Sequence, residues 1–171
     1  MKSMAAQYGG GKFEFARNQE EAKDLWSARK EALWSVMAMK RRDSDKVWTT
    51  DVAVPLSRLP EIVEETKEDI VKSGLLGAIV GHVGDGNFHS ILMFGEDQAE
   101  VAEGVVHRMV QRAVEMEGTV TGEHGVGLVK RDYLKEELGK DAVDLMRKLK
   151  VSFDPKMLLN CDKVVRVQKD M

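Results

Sequence analysis

The dipeptide Asp85-Gly86 lies between two stretches rich in apolar and β-branched residues, Leu75–Val83 and Asn87–Phe94. Asp-Gly between two such stretches is typical of a two-residue β-hairpin turn. Two strands joined by so short a link must pair in the antiparallel sense. The sequence therefore predicts an antiparallel hairpin in the middle of the chain, and the other elements must be arranged around it.

Hydrophobic periodicity predicts the remaining elements. Strands are expected at 12–17 and 47–54, and helices at about 18–41, 57–72, 97–117, 128–138 and 141–150. Asn18 can cap the first of these helices, and Gly74 can end the second. This order predicts an α+β fold, with a ferredoxin-like antiparallel sheet covered by helices and a helical C-terminal segment.

The composition of the 171-residue chain is that of an ordinary globular domain, with 43% hydrophobic and 32% charged residues. A net charge of −3 gives no electrostatic basis for nucleic-acid binding. No apolar stretch approaches the roughly 20 residues of a transmembrane helix. Residues 1–11 contain neither a secretory apolar region nor an arginine-rich presequence. The single Cys161 cannot form an internal disulfide, which fits a reducing compartment.

Three of the four histidines lie in two short glycine-rich segments, and two of the three flank the predicted turn. If Asp85 and Gly86 form that turn, His82 lies directly opposite His89. Cross-strand neighbours share a face of the sheet, with Cβ atoms about 4.5–5.5 Å apart. Two imidazoles so placed can bind one divalent ion. The alternative is a hairpin whose histidines are partly exposed or hydrogen-bonded to the backbone.

The second segment contains Glu123 and His124 between Gly122 and Gly125. Flanking glycines permit unusual backbone angles and can direct both side chains toward one point. Glu123 could complete a ligand set of two histidines and one carboxylate with open positions for substrate. His124 would then be an unligated base. The alternative is a solvated loop before a helix.

Arg29 lies in the middle of an apolar stripe on the first predicted long helix. An arginine that faces inward needs an anion, because a buried unpaired charge is costly. The sequence leaves two partners open. One is a carboxylate of the chain itself, such as Asp51. The other is a substrate carboxylate, which the planar guanidinium can bind with two hydrogen bonds.

Residues 82–89 and 122–127 resemble the two signature segments of the C-terminal, substrate-side domain of FAD-linked oxidases, which act on 2-hydroxy acids. The stretch 48–60 is most similar to the D-lactate dehydrogenase (cytochrome) branch of this family. Residues 153–160 are similar to the family's terminal motif. The resemblance extends from about residue 11 to residue 165, and it implies a cap domain over the flavin.

The resemblance also implies roles for individual residues. The family's divalent-metal ligands, for which zinc or manganese is expected, correspond to His82, His89 and Glu123. His124 matches the residue proposed as the base for the substrate hydroxyl, and Arg29 matches a contact to the substrate carboxylate. Asn87 is expected near the substrate, and Lys130 near the flavin cofactor.

The expected function is that of the substrate-side part of a flavin-dependent D-lactate dehydrogenase. Such an enzyme oxidises D-lactate to pyruvate and passes electrons through FAD to cytochrome c or a quinone, and the resemblance implies a mitochondrial location. The family carries FAD mainly on a separate domain. We therefore expect residues 11–171 to be the cap domain of a longer enzyme, preceded by a flexible segment at 1–10 and inactive alone. The alternatives are a dehydrogenase of D-2-hydroxyglutarate or glycolate, and an inactive metal-binding fragment.

Overall fold

The computed structural model describes residues 2–11 and 14–167. The chain forms two compact units, residues 1–39 and 40–171, and each is described here by itself. In its described residues the first unit contains three helices, α1 (Lys2–Gln7), α2 (Gln19–Lys30) and α3 (Ala32–Met37). None of the residues of these helices is buried.

The beginning of α2 confirms the predicted cap, because the side chain of Asn18 accepts a hydrogen bond of 2.8 Å from the backbone N–H of Glu21. The backbone N–H of Arg17 in turn donates to the Glu21 carboxylate at 2.6 Å. These bonds draw the preceding segment into the start of the helix. Residues 14–17 form no strand, so this part of the predicted strand is wrong, and residues 12 and 13 lie outside the described residues.

The single helix predicted at 18–41 is wrong in two respects. It is divided at Glu31, a turn residue (φ −87°, ψ −2°) between α2 and α3, and it ends at Met37. The segment contains neither glycine nor proline, so the sequence offers no ordinary signal for this break. The apolar stripe of α2 is exposed at Leu25 and Trp26.

The second unit contains a three-stranded antiparallel sheet in its described residues. The strands are β1 (Lys46–Ala53), β2 (Leu76–His82) and β3 (Asn87–Phe94), with β3 in the centre. Helix α4 (Leu59–Lys72) connects β1 to β2, and α5 (Ala99–Glu115) follows β3. A β-α-β unit with an antiparallel strand inserted between its two strands is the arrangement of a ferredoxin-like sheet. The predicted α+β fold is confirmed.

The core lies between one face of the sheet and the two helices. Val52, Phe88 and Leu92 point to this face, and Ile62 of α4 and Met109 of α5 belong to the same buried cluster. Buried residues of α5 recur at steps of three and four, which is the pattern of a helix with one face in a core. The opposite face of the sheet carries apolar residues such as Ile91 and Met93 and, nearer the hairpin turn, polar ones.

A glycine turn and a single β-bridge lie at the two edges of the sheet. Gly74, in a left-handed conformation (φ 69°), follows α4 as predicted and turns the chain into β2. At the edge of β1 away from β3, Thr119 forms an antiparallel bridge with Ala53. The chain after α5 thus returns along β1, at the position where a ferredoxin-like sheet has its fourth strand, and then continues as an irregular loop through residue 133.

The hairpin exists, but the predicted register is wrong. Residues 83–86 form the connection, with a 3-10 turn at Val83–Asp85 and a left-handed Gly86 (φ 69°). His82 consequently pairs with Asn87, and His89 pairs with Val80. The longer turn is held by the residue that follows β1, because the carbonyl of Gly86 accepts a hydrogen bond of 3.0 Å from the backbone N–H of Val54.

The C-terminal segment is helical, as predicted, with different boundaries. Helix α6 (Leu134–Leu138) is shorter than expected because residues 128–133 form turns, and α7 (Lys140–Phe153) is longer. Leu134 and Val143 join the buried core cluster. No helix within the described part of the chain is long and apolar enough to cross a membrane.

Candidate functional site

One face of the sheet carries a cluster of polar side chains. Asp51 of β1 lies directly opposite His89 of β3, and His82 of β2 lies opposite Asn87 of β3. Cross-strand partners share a face, and so do residues two apart along a strand. These four side chains therefore lie on the same face of the sheet, opposite the face that carries the core.

The two hairpin histidines are diagonal neighbours. Their ring centroids are 5.5 Å apart and the rings meet edge to face. They were expected to be directly opposed, which is wrong, but the expectation that they share a face and lie close together is confirmed. The residue between them in the register is Asn87, which pairs with His82 and lies two positions before His89.

A loop brings Glu123 to these imidazoles. Its Oε1 lies 3.0 Å from Nε2 of His89 and 3.4 Å from Nε2 of His82. Each of the three residues offers one ligand atom, and these atoms lie within 4.8 Å of one another. The His89 side chain is largely buried, whereas those of His82 and Glu123 are 41% and 48% exposed. The three predicted ligands are thus brought together at a site that is open on one side.

His124 lies beside this group. Its ring stacks on that of His89, with centroids 4.9 Å apart and an interplanar angle of 18°. Nδ1 of His124 is 3.6 Å from Oδ1 of Asp51, and Nε2 is 4.0 Å from Oε1 of Glu123. The ring therefore has one nitrogen toward a buried carboxylate and the other toward the predicted ligand set.

Asp51 is a buried carboxylate beneath the loop. Lys130 donates to its Oδ1 at 2.6 Å, and Oδ2 accepts the backbone N–H groups of Glu123 at 2.5 Å and His124 at 3.1 Å. Burial opposes ionisation of Asp51, but these hydrogen bonds outweigh it and lower the pKa to about 2. The carboxylate is therefore charged at neutral pH.

Burial also lowers the pKa of His89, and the neighbouring His124 acts in the same direction, although Glu123 and Asp51 oppose the shift. The neutral imidazole is the form that binds a metal ion. Nδ1 of His89 is buried without a hydrogen-bond partner among the described residues. Burial therefore favours the form of the ring that can bind a metal ion, with Nε2 directed at Glu123.

Asn87 and Gly122 pack against each other at the edge of the cluster. A Cβ on Gly122 would lie 2.5 Å from Cγ and Oδ1 of Asn87, so only glycine permits this approach. Oδ1 of Asn87 is buried and has no hydrogen-bond partner in the described chain. An unsatisfied buried amide oxygen beside the two hairpin histidines is a candidate polar contact for a ligand.

The other two predicted site residues are Lys130 and Arg29, and the structure gives both of them surroundings that the sequence did not predict. Lys130 is 6% exposed, and its ammonium contacts both the side chain and the backbone carbonyl of Asp51. Its contact with the cofactor stays a prediction. Arg29 lies on α2 in the first unit and is exposed, so its predicted inward orientation is wrong, while its contact with substrate stays a prediction.

Sequence reasoning missed the function of Asp51 in this site. It considered the residue only as a possible partner of Arg29. A charged residue in the interior of a predicted strand is a signal that something must pair with it. The partner, Lys130, is 79 positions away along the chain, and no local pattern connects the two.

A family model described as "FAD linked oxidases, C-terminal domain" matches residues 1–164. The chain belongs to this family. It is 48% identical over 169 residues to a protein of Kluyveromyces lactis named D-lactate dehydrogenase [cytochrome], mitochondrial, and this match covers 98% of the chain and 29% of the relative. It is 53% identical over 157 residues to D-lactate dehydrogenase [cytochrome] 1, mitochondrial, of Saccharomyces cerevisiae, covering 90% of the chain and 27% of the relative.

A more distant relative is the glycolate oxidase subunit GlcD of Bacillus subtilis, which is 34% identical over 152 residues, or 87% of the chain and 32% of the relative. The chain thus spans about a third or less of the length of these relatives. The predicted membership of the FAD-linked oxidases, as their C-terminal domain, is confirmed.

Proposed function

We propose that this chain is the substrate-side domain of an FAD-dependent dehydrogenase that oxidises D-lactate to pyruvate. The observation that carries the proposal is the convergence of His82, His89 and Glu123 on one point with His124 stacked beside them. The names of the two relatives that are 48% and 53% identical support D-lactate as substrate, a cytochrome as electron acceptor and a mitochondrial location.

The ligand set fits a divalent cation of the zinc or manganese class. Two imidazole nitrogens and one carboxylate oxygen form an incomplete coordination shell, as in catalytic metal sites. The open side, where His82 and Glu123 are about half exposed, leaves room for an oxygen of the substrate. When bound, such a cation supplies Lewis acidity that lowers the pKa of a coordinated hydroxyl.

His124 is the proposed base. Its Nε2 lies 4.0 Å from Oε1 of Glu123, and its Nδ1 lies 3.6 Å from Oδ1 of Asp51. The residue can therefore accept the hydroxyl proton at Nε2 while Asp51 holds the opposite side of the ring. Because His124 is about half exposed, the proton can afterwards pass to solvent.

The remaining roles concern binding and electron transfer. The side-chain oxygen of Asn87 can accept a hydrogen bond from the substrate, and the guanidinium of Arg29 has the planar geometry that matches a carboxylate. When bound, FAD would supply a hydride acceptor for the substrate carbon, with cytochrome c or a quinone as the electron acceptor.

The test uses the complete protein that contains this chain, purified with its flavin. Addition of D-lactate should bleach the flavin absorbance, and His124→Ala should lower kcat by about 10²–10⁴-fold, the usual contribution of a general base. His107→Ala is the matched control, because His107 lies on α5 and contacts Tyr133 rather than the cluster. It should retain the parent's kcat.

Glycolate and D-2-hydroxyglutarate are tested under the same conditions. A kcat/KM for either that exceeds the value for D-lactate would reject the proposed substrate and keep the reaction class. A flavin that none of the three bleaches, or an equal kcat for His124→Ala and the parent, would reject the reaction or the base, respectively.

A further inference from the structure

The carboxylate of Asp51 is completely buried, although it lies on the face of the sheet opposite the core. It is the sixth residue of the eight in β1 and is directly opposite His89 in the register. A buried charge is tolerated only when it is paired and hydrogen-bonded. The groups that pair with this carboxylate and donate hydrogen bonds to it must therefore account for its burial at the centre of the cluster.

The hydrogen-bond partners of the Asp51 carboxylate all belong to the irregular loop that follows the bridge at Thr119. Oδ2 accepts the backbone N–H groups of two consecutive residues, Glu123 and His124. Oδ1 accepts Lys130, and the hydroxyl of Thr121 adds weaker contacts of 3.4 and 3.5 Å. Two consecutive N–H groups on one oxygen fix the orientation of the peptide between them. They thereby fix the direction in which the side chains of Glu123 and His124 leave the backbone.

A competing interpretation is that Asp51 is itself a metal ligand. One ligand atom each from Asp51, His89 and His124 also lies within 4.8 Å of the others. The ammonium of Lys130, however, is 2.6 Å from Oδ1, and both carboxylate oxygens already accept hydrogen bonds. A divalent cation at this point would be repelled by the ammonium and would have to displace these donors. The charges favour positioning over ligation.

We infer that Asp51 is a positioning residue, a buried anion that orients the Glu123–His124 peptide so that one side chain reaches the ligand set and the other stacks on His89, with Lys130 as its counterion. The effect of Asp51 on metal affinity rests on the proposed function. The hydrogen bonds to Asp51 that support the inference are independent of that function.

The first experiment measures amide hydrogen exchange in the parent 171-residue chain by NMR. The amides of Glu123 and His124 should exchange at least about tenfold more slowly than those of Gly122 and Gly125, which donate no hydrogen bond within the described structure. Equal exchange rates at all four positions would overturn the inference without any variant being made.

The second experiment compares Asp51→Asn with Asp45→Asn. Asp45 is also a buried aspartate paired with a basic residue, Arg42, but it precedes β1 and does not contact the loop. In Asp51→Asn the amides of Glu123 and His124 should lose their protection and shift in the spectrum. The Kd for Zn²⁺, titrated as the metal alone, should rise by about 10–100-fold, the usual effect of losing a residue that orients ligands. Asp45→Asn should change neither.

The outcomes separate the alternatives. Weaker Zn²⁺ binding with both amides still protected would identify Asp51 as a ligand and overturn the inference. Unchanged protection and unchanged Kd would overturn it as well. If the parent binds no Zn²⁺, the proposed metal centre fails, and the exchange rates of the two amides still decide whether Asp51 positions the loop. Should Asp51→Asn not fold, the parent's exchange rates remain the deciding measurement.

Discussion

Replacement of Gly122 by alanine is expected to destabilise the second unit and to weaken its candidate metal centre. The new Cβ would lie 2.5 Å from Cγ and Oδ1 of Asn87 and 2.7 Å from Nδ2. Carbon atoms pack at about 3.5–4.0 Å, so a displacement of about 1 Å is required. Asn87 is 5% exposed and lies in the central strand, paired on both sides. The loop that carries Glu123 must therefore move.

The magnitude follows from the displacement. Overpacking of a well-packed site costs about 1–3 kcal/mol in the free energy of unfolding. For a chain of this size, each kcal/mol lowers Tm by about 2–4 °C, so the expected decrease is about 2–12 °C. A shift of about 1 Å at the Glu123 carboxylate is also large compared with the ±0.2 Å tolerance of metal–ligand distances. The Kd for Zn²⁺ should rise by about 10–100-fold, as for other disturbances of ligand orientation.

The assay combines thermal unfolding, followed by circular dichroism, with a Zn²⁺ titration. Gly84→Ala is the matched control, because Gly84 lies in the same hairpin and a Cβ there would meet nothing within 4 Å. Its free energy of unfolding should change by less than about 0.5 kcal/mol. In an Asn87→Ala background the Gly122→Ala substitution should be less destabilising, because the obstructing amide is gone. A Gly122→Ala protein with the Tm and the Kd of Gly84→Ala would refute the reasoning.

Two further predictions concern the ligands and the C-terminal segment. His82→Ala should raise the Kd for Zn²⁺ by at least about 10–100-fold, because losing a ligand should weaken binding no less than losing a residue that orients one. Equal zinc content in parent and variant by elemental analysis would contradict the assignment of His82 as a ligand. Asp154 follows α7, and its pKa is lowered to about 2 by Lys150 and by the backbone N–H groups of Leu159 and Leu158. Because a lowered pKa stabilises the fold above the ordinary value of 3.8 and this contribution is lost as the pH falls toward about 2, Asp154→Asn should lower Tm at neutral pH. The difference from the parent should disappear between about pH 4 and pH 2, and a difference that persists at pH 2 would reject the assigned role.

The hairpin shows how a wrong register can still place residues on the predicted face of the sheet. The prediction paired His82 with His89, whereas the structure pairs His82 with Asn87. The two registers differ by two residues along β3. Because the side-chain period of a strand is two, such a shift leaves every residue on its predicted face, whereas a shift of one would have reversed all of them. The turn is longer than Asp-Gly alone indicates because Gly86 also bonds to Val54, a contact outside the hairpin.

Other parts of the fold could not be predicted, because they depend on contacts between distant segments. The division of the long helix at Glu31 has no local signal, and the turns at 128–133 interrupt a segment whose apolar pattern suits a helix. The same segment carries Lys130, which is held by Asp51 on a strand far away in the chain. Hydrophobic periodicity can predict a helix or a strand. It cannot predict that a residue of the segment will instead pair with a buried charge elsewhere in the chain, as Lys130 does with Asp51.

The cluster combines rigid and irregular parts in a way that bears on its chemistry. Both hairpin imidazoles are fixed by the paired strands β2 and β3, while Glu123 and His124 lie on an irregular loop. Such a loop supplies precise geometry only if its backbone is held, and Asp51 from below and Asn87 against Gly122 hold it at two points. The largely buried His89 is covered on one face by the ring of His124, so a small ligand reaches the cluster from the side of His82 and Glu123, where both are about half exposed. Nε2 of His124 is also on the Glu123 side of its ring, which places the candidate base and the open side of the ligand set together.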